Sequence, residues 1–419
     1  MITRRKLLTS SIAAVGVGAL GPSWLPAAVH AQEQSGQDPL AATHPDGRIL
    51  VVVQMSGGND GLNTVVPYAD DAYQKARPTL RIASDKVLAL DDRVGLHPAL
   101  KALRKRYDDQ QVAVLQGVGY PQPNRSHFRA MDIWHSADPA GPPRNGWLGR
   151  FADARDPTGS SPSLLVQLGS SVSLAMRRSR TAIIALDNED SFSLSADARH
   201  TGDRPAQVTA FRKLCGCGTH AANVGRVSDF LHEQAASSLA SADEVLACLG
   251  KGKSQVTYPR NLGPRLQLVA RMIAGGMKTR AYYTSIGGFD THAKQADGHA
   301  NLLTNFSESV DAFFKDLEQL GRASDVLLVS FSEFGRRVAE NASAGTDHGT
   351  AGPMFVVGPS VKGGLQGSAP DLEHLVDGDP QFGIDFRSVY ATLIGDWLKA
   401  PVAGVIDAEV PRLDLVQAV

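Results

Sequence analysis

The sequence predicts an α/β fold built around a largely parallel sheet. Two observations predict it: short apolar, β-branched runs recur along the chain, and segments with a helical spacing of apolar residues separate them. Continuous apolar runs of this kind are typical of strands that are buried on both faces. Strands that alternate with helices indicate a parallel sheet with helices packed against it.

Five runs are predicted as strands, and four segments as helices. The strand runs are at 49–53, 112–115, 281–283, 326–329 and 354–357. The clearest helix places its apolar side chains between 302 and 317 on one face, with Glu, Asp and Lys elsewhere. The other predicted helices span 128–135, 262–277 and 385–398.

The N-terminus carries an export signal. Arg4 and Arg5 precede an uncharged apolar stretch at 10–20, and the small residues Val29 and Ala31 end the segment at the positions that a signal peptidase reads. The stretch is shorter than the roughly 20 apolar residues of a transmembrane anchor. The arginine pair favours the twin-arginine pathway, with an ordinary cleaved signal as the alternative. We therefore predict a signal peptide over 1–31, recognition by the twin-arginine translocation machinery, a periplasmic or otherwise exported protein, and no stable membrane insertion after cleavage.

The mature chain is predicted as a flexible polar leader and one large domain. The leader spans 32–47 and is rich in Gln, Ser, Gly and Pro, and the α/β domain spans 48–419. Residues 161–254 are less regular. Their apolar runs at 164–166 and 182–186 could form a small cap inserted into the main domain.

Composition excludes several classes of protein. A net charge of −1 with 20% charged residues argues against a nucleic-acid partner and against a polybasic membrane-surface protein. Three cysteines, Cys215, Cys217 and Cys248, are too few for a disulfide scaffold. One bridge to Cys248 is an option, and a metal site at the first two is weaker because no second close pair follows.

Polar residues cluster where the predicted strands end. In open α/β sheets the functional site lies outside the carboxyl ends of the strands. Each loop taken alone has a structural explanation: a turn, a helix cap, a hydrogen-bonded cluster or an ion-paired surface loop. Together on one edge of a sheet they indicate a site. The loops are 56–61, 124–128, 287–292, 332–337 and 345–350.

Six side chains of these loops form a mixed carboxylate and imidazole set. Such a set suits Zn²⁺, Mn²⁺ or a similar ion better than Ca²⁺, which prefers oxygen ligands. It suffices for one ion, or for two that share a bridging carboxylate. The predicted cofactor is a divalent metal ion, with Zn, Mn, Mg and Ca left open. The candidate ligands are Asp60, Asp290, His292, Glu333, Asp347 and His348.

Ser126, Arg125 and His127 are the candidate catalytic residues. A helix dipole and a nearby cation would favour the alkoxide of Ser126, and the same place suits a phosphate or sulfate oxyanion. Arg125 could hold two oxygens of that anion. The alternative for Ser126 is a plain helix N-cap. The combination is typical of metal-assisted hydrolysis of a small anionic ester.

These motifs resemble the exported bacterial proteins of the domain of unknown function 1501 family over essentially the whole mature chain. That family in turn resembles the alkaline phosphatase and sulfatase superfamily. The resemblance implies an alkaline phosphatase-like three-layer sandwich, with metal-binding Asp and His at strand ends and a nucleophile at a helix start. The motifs are the arginine pair at 4–5 and the segments 54–61, 124–128, 289–292, 332–336 and 345–349.

The resemblance also implies a role for individual residues. Asp60 would be a metal-bridging carboxylate and Ser126 the nucleophile, while Asp290, His292 and His348 would be metal ligands. The chain departs from the superfamily pattern in its middle motifs. Lys294 stands where Asp-x-x-x-His would place a histidine, and Phe334 stands beside Glu333 where a second ligand is common. A sulfatase signature is absent around Ser126.

Two functions follow as hypotheses. The first is an exported metal-dependent hydrolase of phosphate or sulfate esters with a serine nucleophile. The second is a non-catalytic exported protein that keeps the fold and binds a partner or ligand through the same face. A metal-free serine hydrolase is less favoured, because no Gly-x-Ser-x-Gly elbow follows a strand.

Overall fold

The computed structural model describes most of the predicted α/β domain. The signal peptide predicted at 1–31, the leader up to residue 46, Cys215 and Cys217 lie outside the described residues. Cys248 lies within them and is buried in the core. The described residues are 47–142, 145–179, 181–188, 206–207, 209–210, 213 and 226–417.

Twelve strands of the described chain form two sheets. The large sheet has the order β11-β5-β10-β9-β1-β8-β6-β7, with β12 paired to β5, and the small one has the order β2-β4-β3. All five predicted strands are confirmed, each as part of the large sheet. The strands are β1 (Ile49–Ser56), β2 (Val65–Val66), β3 (Leu88–Ala89), β4 (Gly95–Leu96), β5 (Val112–Gly119), β6 (Leu165–Leu168), β7 (Ile184–Leu186), β8 (Ala281–Gly287), β9 (Val326–Phe331), β10 (Gly352–Val357), β11 (Gly364–Gln366) and β12 (Ile384–Asp385).

Eight α-helices accompany these strands in the part of the chain that the structure describes. The four predicted helices are confirmed, with bounds that differ by a few residues. No helix among the described residues is long and apolar enough to cross a membrane. The helices are α1 (Asp71–Ala76), α2 (Lys101–Asp108), α3 (His127–Ser136), α4 (Trp147–Arg155), α5 (Arg226–Lys251), α6 (Leu262–Ala274), α7 (Gln295–Gln319) and α8 (Phe386–Thr392), which continues as a π-helical turn over Leu393–Trp397.

The large sheet is covered on both faces, which confirms the three-layer sandwich. Side chains of β1 alternate between two buried clusters: Val51 and Val53 belong to one, Leu50 and Val52 to the other. The first cluster includes residues of α2, α5, α6 and α7, and the second includes residues of α3, α4 and α8. Both faces of β1 are therefore dry, which is why its sequence is a continuous apolar run.

Strand β10 runs against both of its neighbours, whereas the other pairings of the large sheet are parallel. Strand β5 is antiparallel to β10 and therefore points the same way as β1, β8 and β9. The loop that enters β10 then lies at the edge where those strands end. This reversal explains how a loop that precedes a strand joins loops that follow strands.

The suggestion of a separate cap within 161–254 is wrong for its two apolar runs. These runs form β6 and β7, which extend the main sheet beyond β8. Their continuous apolar sequence is that of buried strands, with β6 buried throughout. The rest of the predicted insertion is described only in part, and it includes α5 from residue 226 onward.

Candidate metal centre

The loops at the carboxyl edge of the sheet pack closely against one another. Gly57 and Gly58 follow β1 with positive φ angles of +120° and +76°. A Cβ atom on Gly58 would lie 2.3 Å from Cε2 of Phe334, so glycine is required for the ring of Phe334 to fit. This close contact joins the loop after β1 to the loop after β9.

His127, the first residue of α3, is oriented by a buried carboxylate. Its Nδ1 lies 2.9 Å from Oε1 of Glu333, a side chain with no exposed surface. That oxygen also accepts a hydrogen bond of 2.9 Å from the backbone N–H of Gly57, so we assign the imidazole proton to Nδ1. Nε2 of His127 is buried, has no hydrogen-bond partner among the described residues and lies 3.5 Å from Oδ2 of Asp290.

His348, in the loop before β10, is oriented in the same way by a backbone carbonyl. Its Nδ1 donates to the carbonyl oxygen of Arg125 at 2.8 Å. Its Nε2 then points to Oδ1 of Asp290 at 3.2 Å and to Nε2 of His292 at 2.9 Å. Both histidines therefore turn Nε2 toward the carboxylate of Asp290.

A third histidine, His292, completes the pattern on the solvent side. Its Nδ1 lies 3.0 Å from Oδ1 of Asp347, which also accepts a hydrogen bond from Asn341. These two bonds lower the pKa of Asp347 and favour its charged form. Nε2 of His292 lies 3.0 Å from Oδ1 of Asp290, and 44% of the side chain is exposed.

Asp290 lies between these imidazoles. One nitrogen of His127, one of His348 and one oxygen of Asp290 lie within 4.8 Å of one another, a spacing that could hold a metal ion. Burial alone would raise the pKa of Asp290. The hydrogen bond and positive charge of Arg336 outweigh it and lower the pKa to about 2, so Asp290 is a carboxylate at neutral pH.

The nitrogen atoms themselves test whether a cation fits here. With protons on both Nδ1 atoms, the Nε2 atoms of His348 and His292 would point lone pairs at each other across 2.9 Å. A lone pair beside another lone pair and a carboxylate is unfavourable unless a proton or a metal ion lies between them. Metal-ligating histidines are usually held by a hydrogen bond from the other ring nitrogen, as His127 and His348 are. The donor set and its supports fit a divalent ion.

Arg336 lies within the same group of loops and was not predicted as part of the site. Its side chain has no exposed surface, and one of its nitrogens donates to Oδ1 of Asp290 at 2.7 Å. Glu333 is also fully buried, so the alternative of an ion-paired surface loop for this segment is wrong. The sequence signal for including Arg336 in the site was its position in the loop after β9. The residues that it contacts lie in loops that are distant in the sequence.

Asp60 lies in a different environment. Its oxygens are occupied by Arg77 at 2.5 Å, by Gln295 at 2.5 Å and by the N–H of Asn63 at 3.3 Å. Burial would raise the pKa of Asp60, but the guanidinium of Arg77 outweighs it and lowers the pKa. Asp60 is therefore not one of the three grouped ligand residues, and its contacts are those of a structural ion pair. Its role as a metal ligand stays a prediction.

Ser126 and Arg125 precede His127 directly. Ser126 is the N-cap of α3, but it is exposed and its side chain makes no capping hydrogen bond. Its backbone N–H bonds to the side chain of Asn124. The guanidinium of Arg125 is paired with the buried carboxylate of Asp379, so in this conformation it is already engaged by one anion.

The structure thus brings together most of the predicted site. Asp290, His292 and His348 lie side by side, and Glu333 and Asp347 lie behind His127 and His292 as hydrogen-bond acceptors. His127, predicted as catalytic, is one of the three residues whose spacing could hold a metal ion. Sequence spacing could not make this distinction, because it depends on which ring nitrogen faces inward.

The fold and these side chains define a class: a three-layer α/β protein with a histidine-rich candidate metal centre at the carboxyl edge of its sheet. The chain belongs to the family described as "Protein of unknown function (DUF1501)", whose profile matches residues 47–400. This confirms the family expected from the motifs. The sequence matches no curated protein.

Several solved structures are similar over most of the chain, at low sequence identity. The lipoteichoic acid synthase LtaP from Listeria monocytogenes is 9% identical, with 85% of this chain and 71% of that chain covered and a TM-score of 0.32. A protein in the alkaline phosphatase superfamily from Vibrio parahaemolyticus is 10% identical, with coverages of 92% and 79% and a TM-score of 0.33. The PsFucS1 sulfatase from Pseudoalteromonas sp. is 10% identical, with coverages of 84% and 70% and a TM-score of 0.35. TM-scores this low carry no argument about the chemistry of this chain.

Proposed function

We propose that this chain is an exported, divalent-metal-dependent hydrolase of phosphate or sulfate esters. His127, Asp290 and His348 would hold the ion, and Ser126 would be the nucleophile. The observation that carries the proposal is the orientation of His127 and His348. Each has Nδ1 held by an acceptor and Nε2 turned toward Asp290.

The donor set favours a particular group of metals. Imidazole nitrogen together with a carboxylate oxygen suits Zn²⁺ and Mn²⁺, whereas Ca²⁺ and Mg²⁺ are usually held by oxygen. A bound ion of this kind would stabilise negative charge on the ester oxygens and lower the pKa of a coordinated hydroxyl. The buried carboxylate of Glu333 would keep His127 in the required tautomer.

Ser126 is supported as the nucleophile by its position. It starts the ten-residue helix α3, where the helix dipole favours negative charge on the hydroxyl and on a nearby oxyanion. Its side chain is exposed and not used as a cap. It is bonded to His127, so its Cα lies about 3.8 Å from the Cα of a proposed ligand residue.

His292 is the proposed general acid–base group. It is the most exposed of the three histidines, and the carboxylate of Asp347 fixes its Nδ1. A proton on Nε2 of His292 could pass to a leaving oxygen on the solvent side. The imidazolium that His292 forms when it takes up a proton would be stabilised by Asp347.

Metal content tests the proposal most directly. We would purify the mature chain from periplasm, measure bound Zn, Mn, Fe, Mg and Ca, and repeat this with His348→Ala. His374→Ala is the matched control, because His374 is an exposed histidine paired only with Asp371. We expect metal in the native and control chains and a loss of at least about tenfold in His348→Ala. Metal far below one ion per chain in the native protein would refute the hydrolase.

Hydrolysis is tested next, on aryl phosphate and aryl sulfate esters, with the metal-loaded chain. Ser126→Ala should abolish turnover while metal content is unchanged. Unchanged turnover in Ser126→Ala would remove Ser126 from the nucleophile role. Metal binding without turnover of any ester would favour the alternative, a non-catalytic binding protein that keeps the fold.

Export is tested separately from chemistry. Replacing Arg4 and Arg5 by lysine should retain the precursor in the cytoplasm if the twin-arginine pathway is used. Continued export of the double-lysine precursor would favour the ordinary secretion signal.

A further inference from the structure

We infer that Arg336 occupies the place of a second cation, so that the centre holds a single divalent ion. The inference rests on the proposed metal site and specifies how many ions that site takes. Two independent features of the described structure support it: the contacts of Arg336 and the packing of Phe334.

The guanidinium of Arg336 is fixed in place by backbone carbonyls. The side chain is completely buried, and every one of its three nitrogens donates to the protein. The bonds tie together the loops after β1 and β8 and the loop before β10. The carbonyl acceptors are those of Gly58 at 2.6 Å, Thr346 at 2.7 Å, Phe289 at 3.1 Å and also Gly57.

The charge of Arg336 is directed at two of the candidate metal ligands. Its nitrogens lie 2.7 Å from Oδ1 of Asp290 and 3.4 Å from Nε2 of His292. A metal ion bound to those two atoms would lie beside a fixed positive charge in a partly dehydrated site, where repulsion is strong. Arginine does not lose its proton in proteins, so this charge is permanent.

One side of Asp290 remains available. Its Oδ2 faces Nε2 of His127 at 3.5 Å, and that nitrogen is buried without a hydrogen-bond partner among the described residues. Nε2 of His348 completes the group. Oδ1 of Asp290 therefore lies beside the guanidinium of Arg336 and 3.2 Å from Nε2 of His348, whereas Oδ2 faces His127.

The ring of Phe334 covers one face of the candidate metal centre. Its ring packs against the imidazoles of His127 and His348, with centroids 4.8 Å and 4.6 Å away. The ring is buried and fits against Gly58. An aromatic ring offers no ligand to a cation held in the plane of the imidazole nitrogens. This face of the centre is therefore closed to a second ion.

The experiment compares two replacements of Arg336. Lysine and methionine both remove the guanidinium bonds, but only lysine keeps the positive charge. Zn²⁺ and Mn²⁺ binding would be measured by titration calorimetry and by elemental analysis after removal of unbound metal. Arg337→Met is the control, because the neighbouring Arg337 contacts the backbone of Asp377 instead of Asp290.

We expect one ion per chain in the native protein and in the Arg337→Met control. Arg336→Met should bind its ion at least about tenfold more tightly than Arg336→Lys, because a like charge is gone. Two ions per native chain, or equal affinity in the methionine and lysine variants, would overturn the inference. Two ions per native chain would overturn the inference even if the variants do not fold. A native chain with no metal refutes the proposed function, whereas one with two ions refutes only the role of Arg336.

Discussion

Two aspartate–arginine pairs lie at the same edge of the sheet but differ in the exposure of the aspartate and in the residues around them. Asp60 and Arg77, after β1, have no exposed side-chain surface. In the pair of Asp290 and Arg336, after β8 and β9, the arginine is equally buried but 49% of the aspartate is exposed. Both carboxylates have a lowered pKa. A charged aspartate near a strand end is thus not by itself a sign of a metal site.

The neighbours distinguish the two pairs. Gln295, Asn63 and the backbone of Val338 complete the hydrogen bonding of the first pair. Beside the second pair, Nε2 of His127 lies 3.5 Å from Oδ2 of Asp290 and Nε2 of His348 lies 3.2 Å from Oδ1. The first pair is surrounded by hydrogen-bond partners, whereas the second has imidazole nitrogens beside it that could bind a metal ion.

The largest expected effect is on folding, and it separates the pairs directly. Asp60→Ala leaves Arg77 as a buried, unpaired charge and should lower the free energy of unfolding by about 3–5 kcal/mol. Asp290→Ala should lower it by less than about 1.5 kcal/mol, because 49% of the Asp290 side chain is exposed and solvent screens its pairing with Arg336. Urea unfolding at pH 7 without metal measures both. Equal losses in the two variants would contradict the division into a structural and a functional pair.

Bound metal should raise the free energy of unfolding only through the site beside Asp290 and Arg336. Zn²⁺ at about 100 times its dissociation constant should raise the free energy of unfolding of the native chain by about 2.7 kcal/mol. The same metal should do little for His348→Ala and should act normally on His374→Ala. Thermal unfolding with and without Zn²⁺ checks this. A full metal response in His348→Ala would place the ion elsewhere.

As the pH falls, a buried histidine should lower the free energy of unfolding before the carboxylates are protonated. Burial lowers the pKa of His135 to about 4, below its ordinary value of 6.5. The unfolded chain then binds the proton first, so this stabilisation is complete above pH 6.5 and is lost as the pH falls toward 4. The free energy of unfolding should fall by about 2 kcal/mol from pH 7 to pH 5 because of this group.

His135→Gln isolates this contribution, since glutamine can still donate to Gln54, the 3.0 Å partner of His135. Its stability curve between pH 7 and pH 5 should be flatter than the native curve by that amount. His374→Gln, a change at an exposed histidine, should follow the native curve. A native slope in His135→Gln would mean that the pKa of His135 in the folded chain is not lowered.

Much of the fold could be predicted because the spacing of apolar residues in each element matches the faces that the element buries. The run at 49–53 is apolar at every position since β1 is covered on both faces, and the apolar stripe of α7 faces the core. The small cap was mispredicted because β6 and β7 extend the main sheet beyond β8. They come before β8 in the sequence but lie farther from the centre of the sheet. Strand order of that kind depends on tertiary packing and has no local signal.

The candidate site was predictable as a set of loops but not as a set of roles. Glycine-rich loops with Asp and His indicated the edge of the sheet. The structure was needed to show that Asp60 is paired with Arg77, that Glu333 supports His127, and that Arg336 reaches Asp290. These contacts join residues more than fifteen positions apart, where sequence spacing carries no geometric information.

The smallest expected effect on stability concerns Ser126 and separates a cap from a nucleophile. Asp70, the N-cap of α1, accepts a 2.7 Å bond from the N–H of Ala72, so Asp70→Ala should lower the free energy of unfolding by about 1 kcal/mol. The side chain of Ser126 makes no such bond, so Ser126→Ala should change it by less than about 0.5 kcal/mol. Urea unfolding of the two variants in parallel gives the comparison.

A loss in Ser126→Ala as large as in Asp70→Ala would show that the serine stabilises α3, and any loss of hydrolysis would then have to be corrected for misfolded chain. A negligible change in stability with loss of turnover would assign the hydroxyl of Ser126 to chemistry alone.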